Sequence, residues 1–241
     1  MAAALVLKNG EAPDLEQLRA WAKERMAVHK VPSLLLLLDV LPRNAMGKVT
    51  KPAVRALFDE AMKGSNLRPF LRGKLDVLFV ALNPPRQSND NGHYFSGRSS
   101  RFFHLLYLSG LITKDLPKAT ADETVFGSTS VNHKESAFGV VDLVGDVVET
   151  NSGKVRSTRH HVDKLFACIR ELNPRFVCLI HSKVRNALNK SPELAGRLDY
   201  GICGPLLRGS ETVFVLNYFP NGNNVSDEKK LNIFRALRDE L

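Results

Sequence analysis

Residues 75–103 read LDVLFVALNPPRQSNDNGHYFSGRSSRFF. The opening run, Leu75–Leu82, is short, apolar and bounded by turn residues, which predicts a buried strand of a parallel sheet. It stops at Asn83-Pro84-Pro85, because proline offers no ladder donor and turns the chain out of the sheet. A polar, glycine-containing loop follows, then Tyr94-Phe95. Ser99-Ser100 can cap a helix with apolar positions Phe102, Phe103, Leu105, Leu106 and Ile112 and a stop near Gly110. In open α/β folds, reacting groups gather beyond the carboxyl ends of strands, and Asn83 occupies such a position.

Downstream, strand and helix patterns alternate. Leu165, Phe166, Ile169 and Leu172 share one face of a helix over 162–172, and Phe176–His181 reads as a second buried strand. Ser182-Lys183 opens another helix. Thr212–Asn217 is a further strand, closed by the loop Tyr218–Asn224. Ser226, followed by Asp227 and Glu228, opens a last helix carrying Leu231, Ile233, Phe234 and Leu237. This alternation predicts an α/β fold of three αβα layers around a mainly parallel sheet.

Upstream, residues 1–65 read as a separate small α+β piece. Leu15, Leu18, Ala22 and Met26 fall on one helical face, SLLLLLDV is strand-like, and Thr50 can cap a helix bearing Val54 and Leu57. Lys63–Pro69 reads as a linker, with the boundary near residue 66 and Phe70-Leu71 packing against the second domain over 66–241.

The chain has 241 residues, 44% hydrophobic and 24% charged, enough for a sizeable core. Apolar runs are too short to span a bilayer, and the first residues lack the basic start of a secretory signal. Cys168, Cys178 and Cys203 lack zinc or iron–sulfur spacing, so a reducing, intracellular setting is expected. A net charge of +9 suits a polyanionic partner but equally fits an ordinary basic protein.

Asn-Pro after a buried strand, Gly92 nine residues on, an aromatic at Phe95 and the pair Arg101-Phe102 resemble the mismatch-specific uracil/thymine-DNA glycosylases, a branch of the uracil-DNA glycosylase superfamily. That family's first motif is Gly-Ile-Asn-Pro-Gly. Here Ala81-Leu82-Asn83-Pro84-Pro85 keeps Asn-Pro without the flanking glycines. Ala137–Val144 resembles the segment beside the family's pocket. The second motif, Asn-Pro-Ser-Gly-Leu-Ser, corresponds to Phe219-Pro220-Asn221-Gly222-Asn223-Asn224. Separately, residues 1–65 resemble the C-terminal end of AMP-forming acyl-CoA synthetases, whose closing pattern appears as HKVP, then LPRN, then GKV. Lys48 matches the lysine that contacts the acyl carboxylate or adenylate phosphate there. With no nucleotide cradle in the sequence, it reads as vestigial.

The first resemblance implies a monofunctional enzyme, free of cofactor and metal, that hydrolyses uracil or a related deaminated or mismatched pyrimidine from DNA. Asn83 would hold the attacking water; an amide cannot act as a base, so a slow enzyme is expected. Phe95 would stack on the everted base, with Leu82, Pro84, Tyr94 and His181 around it. His181, at a strand end, could approach the base but reads more readily as a satisfied core histidine. Phosphate contacts would come from Arg86, Arg98 and Arg101, and from Ser182 and Lys183 at a helix N-terminus. Asn221, Gly222, Asn223 and Asn224 would form the loop that enters DNA. Asn223 stands where the family has an apolar wedge, so weaker discrimination between paired and mispaired substrates is expected. The implied partner is double-stranded DNA with a lesion or mismatch, with single strands left open, bound by a monomer that needs no membrane. The nucleus is the expected location, with the mitochondrion as alternative. Two other readings remain: a protein of this fold that binds DNA without cutting it, and an accessory module of an acyl-CoA synthetase acting through Lys48.

Overall fold

The computed structural model describes the chain except for residues 1, 8–12, 14, 28–29, 33, 39, 45, 62–64 and 222–223. Its elements are β1 (Ala2–Leu5), α1 (Leu15–Lys23), β2 (Leu34–Leu37), α2 (Lys51–Ala61), β3 (Val77–Ala81), α3 (Arg86–Asn91), α4 (Phe102–Ser109), α5 (Ala121–Val125), β4 (Phe138–Asp142), α6 (Arg159–Leu172), β5 (Phe176–Leu179), α7 (Ser182–Leu188), β6 (Gly201–Pro205), β7 (Val213–Leu216) and α8 (Asp227–Asp239). Five strands form one sheet in the order β4-β3-β5-β7-β6. All neighbours are parallel except β6, which runs antiparallel to β7 at the edge.

Alternation along β3 explains the three layers. Val77 and Phe79 face a core shared with Phe102, Phe126, Phe138 and Phe234, from the side of α4, α5 and α8. Leu78 and Val80 face the opposite core with Leu165, Phe166 and Ile169 of α6 and Val184 of α7. A strand buried on both faces has no polar side, which is why Leu75–Leu82 reads as a nearly continuous apolar run. Phe70 adds an antiparallel bridge to Val140, exchanging backbone bonds of 3.0 and 3.2 Å.

Three local readings depart from the sequence pattern. The loop after Pro85 contains α3, which ends at Gly92 in the left-handed region (φ 75°). Helix α4 starts after Arg101, and no side chain caps it. The strand β6, GICGP, carries no apolar alternation; it is an edge strand, bulged between Ile202 and Gly204, with Gly201 and Gly204 at φ 107° and 81°.

Gly139 sits where the Phe70 bridge crosses β4. A Cβ there would lie 2.6 Å from Phe70 O and 2.7 Å from a Leu75 methyl. Gly139→Ala is therefore expected to destabilise the protein by about 1–3 kcal/mol, the usual cost of overpacking, readable as a lowered midpoint in urea.

In the N-terminal piece, β1 and β2 pair in parallel. A bridge between Arg43 and Val49 closes the loop that carries Lys48, which is exposed. Asn66 meets the second half of the chain: its backbone N–H donates to Asn89 Oδ1 at 2.7 Å, and its side-chain amide to Asn89 O at 3.2 Å.

Candidate active site

All four parallel strands of the five-stranded sheet deliver residues to one cavity of about 310 Å³ at their carboxyl ends. β3 supplies Leu82 and Asn83, β4 supplies Asp142, β5 leads to His181, and β7 leads to Phe219 and Asn221. Parallel pairing without slippage aligns these ends, since Ala81 faces Asp142 across β3 and β4.

Asn83 stands in the cavity wall with a fixed amide. Its Nδ2 lies 3.1 Å from Pro84 O, 3.1 Å from Val147 O and 2.8 Å from Glu149 O. With both N–H groups directed at these carbonyls, Oδ1 is the amide atom left to accept a hydrogen bond from a guest. The loop after β4 is anchored by the same chain, through Leu143 N to Ala81 O and Glu149 N to Pro84 O.

Tyr94 and Phe95 both line the cavity, by different means. Phe95 has φ 55°, in the left-handed region that phenylalanine rarely adopts. Its ring stacks on Phe102, centroids 3.9 Å apart and planes 25° from parallel. The strained turn lets consecutive aromatics point inward together. Tyr94 is buried, and its hydroxyl donates to Asp142. Asp122 secures the turn from beneath: Oδ2 accepts Tyr94 N–H at 2.7 Å, and Oδ1 lies 2.9 Å from His93 Nδ1. Arg19 of α1 donates to His93 Nε2 at 2.9 Å, so the ring proton sits on Nδ1 and is given to Asp122. Asp122→Ala would leave two buried donors without acceptors, each worth roughly 1–3 kcal/mol. It is expected to lower the thermal midpoint and disorder the Tyr94–Phe95 turn, read from near-UV dichroism.

Asp142 ends β4 inside the cavity. Burial raises its carboxyl to about 7, and the Tyr94 hydroxyl bond opposes that rise only in part. His181 caps α7, accepting Lys183 N–H on Nδ1 at 3.0 Å. Burial, helped by the Lys183 charge, lowers the imidazole to about 4. The ring is therefore neutral at physiological pH, with its proton on Nε2 as a donor. Its edge meets Phe219, centroids 5.1 Å apart. Glu149 also lines the cavity; Asn151 N–H donates to its Oε1 at 2.8 Å and holds its carboxyl below the usual range. Ser100 belongs to the lining, but its Oγ is buried with no partner among the described residues and does not cap the helix.

The expected pocket residues Leu82, Asn83, Tyr94, Phe95 and His181 thus meet around one space. Pro84 does not: it is buried behind the wall with its carbonyl bonded to Asn83 and Glu149, and Pro85 lines the cavity instead. Of the expected DNA-contacting residues, Arg86 and Arg98 are exposed at the rim. Arg101 is paired with Asp227 at 2.5 Å. Lys183 departs from the expected phosphate contact, because its ammonium donates to the carbonyls of Ser152 and Val155; Ser182 beside it is half-buried. Asn221 lines the cavity and its carbonyl accepts from the buried Lys230, 3.3 Å away. Asn224 is exposed, while Gly222 and Asn223 lie outside the described residues. Asp142, Glu149 and Ser100 were absent from the expected site. A lone acid in the apolar run FGVVDLV was a legible signal for the first, because burial of an unneeded charge is costly.

Among curated proteins, short stretches match CoA ligases. A probable CoA ligase of Humulus lupulus is 47% identical over 58 residues, 22% of this chain and 10% of that protein. A malonate–CoA ligase of Arabidopsis thaliana is 51% identical over 41 residues, 17% of this chain and 7% of that protein. The mitochondrial malonate–CoA ligase ACSF3 of Homo sapiens is 38% identical over 52 residues, 22% and 9% respectively. The chain thus spans about a tenth or less of the length of these relatives. The site itself falls in a different match: the family model of the uracil DNA glycosylase superfamily covers residues 69–238, from the Phe70 bridge to the end of α8. On a match over most of its length, with a mostly parallel α/β sheet to carry it, the chain belongs to the uracil DNA glycosylase superfamily.

Proposed function

We propose that this chain is a monofunctional DNA glycosylase that removes uracil, or a related deaminated or mismatched pyrimidine, and leaves an abasic site. The observation that carries the reading is Asn83. Its N–H groups are tied to the following loop, and its acceptor oxygen is left to the cavity. A water donating to Oδ1 would be held for attack on the anomeric carbon. The C1′–N bond breaks with its electron pair passing to the base, the water oxygen bonds to C1′, and the water proton is released.

The transition state is oxocarbenium-like, so positive charge grows on the sugar and negative charge on the base. The neutral His181 Nε2–H is a donor suited to the departing base, as a cationic ring is not required. The ionised Glu149 at the rim favours the sugar cation. Phe95, backed by Phe102, supplies a stacking face, and Asp142 with Tyr94 offers hydrogen bonds to the polar edge of the base. Residues 1–65 are an appended ligase-like piece in this reading, and DNA repair places the protein in the nucleus or mitochondrion.

A gel assay tests it. Labelled duplexes with U:G, T:G, U:A or hypoxanthine are incubated with protein, treated with alkali, and examined for strand scission. Scission at uracil is expected. Lesion binding with no scission on any duplex would replace the enzyme with a non-cleaving binder of the same fold.

A further inference from the structure

Beside the cavity, the surface carries an aromatic and basic strip that the base pocket does not use. Tyr200, just before β6, and Tyr218, just after β7, stack with centroids 3.8 Å apart and planes 13° from parallel. Tyr200 is 37% exposed, so one face of the stacked pair is open to solvent. The Arg185 guanidinium lies 5.4 Å from the Tyr200 centroid. Its Nε donates to Asn186 Oδ1 at 3.0 Å, and among the described residues Arg185 makes no ion pair. Arg185 then opens onto a concavity of about 680 Å³ that it lines with Lys190, Arg197 and Asp199. Lys190 and Arg197 are exposed and also without ion pairs among the described residues, whereas Asp199 accepts Tyr200 N–H at 2.8 Å. Three cations against one engaged carboxylate give a basic trough.

The strip is continuous with the candidate site through the chain. Phe219 lines the cavity and Tyr218 precedes it; His181 caps α7 and Arg185 lies one turn along the same helix. A nucleotide everted into the cavity has neighbours on its own strand that must leave in some direction. Unstacked bases need aromatic or guanidinium planes, and their phosphates need cations that are not already paired. A duplex would offer its bases no access to such a strip.

We propose that the Arg185–Tyr200–Tyr218 strip, with Lys190 and Arg197, is the surface that binds the unpaired DNA flanking the everted nucleotide when the substrate is single-stranded. The inference rests on the glycosylase reading for its biological meaning but is read by binding. Fluorescence anisotropy would follow a labelled 15-mer of thymidines lacking uracil, and excision would be followed on the same uracil in single-stranded and duplex form.

The pair Arg185→Ala and Tyr200→Ala, combined, is expected to weaken single-strand binding by at least about tenfold and to lower single-strand excision by a similar factor. Duplex excision stays within twofold. Because the tyrosine stack could also brace the β6–β7 edge, a second variant, Lys190→Glu with Arg197→Glu, alters only exposed side chains. It is expected to weaken single-strand binding and flatten its salt dependence, by about 0.7 in log–log slope per cation neutralised. Unchanged single-strand affinity in both variants, or equal losses on single-stranded and duplex substrates, overturns the proposal while leaving the glycosylase reading intact. Strip-dependent binding by a protein that excises nothing does the reverse.

Discussion

Asn83→Ala is expected to cut excision of uracil from DNA by about 10²–10⁴-fold, the range over which positioned proton-handling and water-holding groups act. Lesion-DNA affinity should change by no more than a few fold, because in the proposed mechanism the amide oxygen would serve the attacking water and not the duplex. Two effects of this substitution need separating. It removes the acceptor facing the cavity, and it leaves the carbonyls of Val147 and Glu149 without a donor. The second effect is one of stability, on the order of 0.5–1.5 kcal/mol because water reaches these carbonyls, and shows as a lower thermal midpoint. The first shows only in single-turnover rate. Asn83→Asp discriminates further: a carboxylate supplies acceptor oxygens but faces three carbonyls it cannot bond, so stability falls. A single-turnover rate within tenfold of the parent for Asn83→Ala would remove this residue from the mechanism.

The pH response of Asp142 is the other large effect. Its carboxyl is raised to about 7 by burial, so below neutrality it is a neutral acid that can donate and accept at once. On the proposed reading, such a group would match the adjacent O4 acceptor and N3–H donor of uracil in the manner of a carboxamide. Above neutrality it becomes an acceptor only, set against a carbonyl oxygen. Excision of uracil is therefore expected to fall tenfold per pH unit above about 7, reaching roughly a hundredfold loss at pH 9. Asp142→Asn keeps the donor at every pH and should flatten this limb. A parent profile that is level from pH 6 to 9 would show that Asp142 does not read the base.

The same shift predicts stability with a definite sign. The folded state holds the Asp142 proton between the ordinary carboxyl value of 3.8 and about 7, so stability declines as pH rises through that window. The penalty approaches on the order of 4 kcal/mol once the carboxylate is forced to ionise. His181 acts oppositely: lowered from 6.5 to about 4, it is neutral in the fold while the unfolded chain takes up a proton, so its contribution grows as pH rises across that range. Above pH 7 the cost of ionising Asp142 is the one of the two that persists. Asp142→Asn should raise the thermal midpoint most at pH 8 and little at pH 5, a sign that the acid is retained for what it does in the cavity.

Much of the architecture was written along the chain. An apolar run broken by Asn83-Pro84 could only be a doubly buried strand with a polar residue at its carboxyl end, and the βα alternation after it required a mostly parallel sheet. Local pattern failed where tertiary context overrode it. The edge strand β6 has glycines and a bulge in place of alternation, and Ser100 resembles a cap but leaves its hydroxyl buried without a partner among the described residues. Roles that depend on neighbours distant in sequence were beyond reach. Lys183 resembles a phosphate ligand in sequence, but the loop at Ser152–Val155 takes its ammonium, and nothing local to His93 announces that Asp122 and Arg19 enclose it.

Sequence by itself determined which residues could form strands, and that Asn83 would end the leading one, because periodicity and proline act within a few residues. Only the tertiary structure decided that Asp142, His181, Phe95 and Asn83 share one cavity. Parallel register aligns strand ends contributed from residues 81 to 219, and burial at that junction is what sets the protonation of the acid and the imidazole.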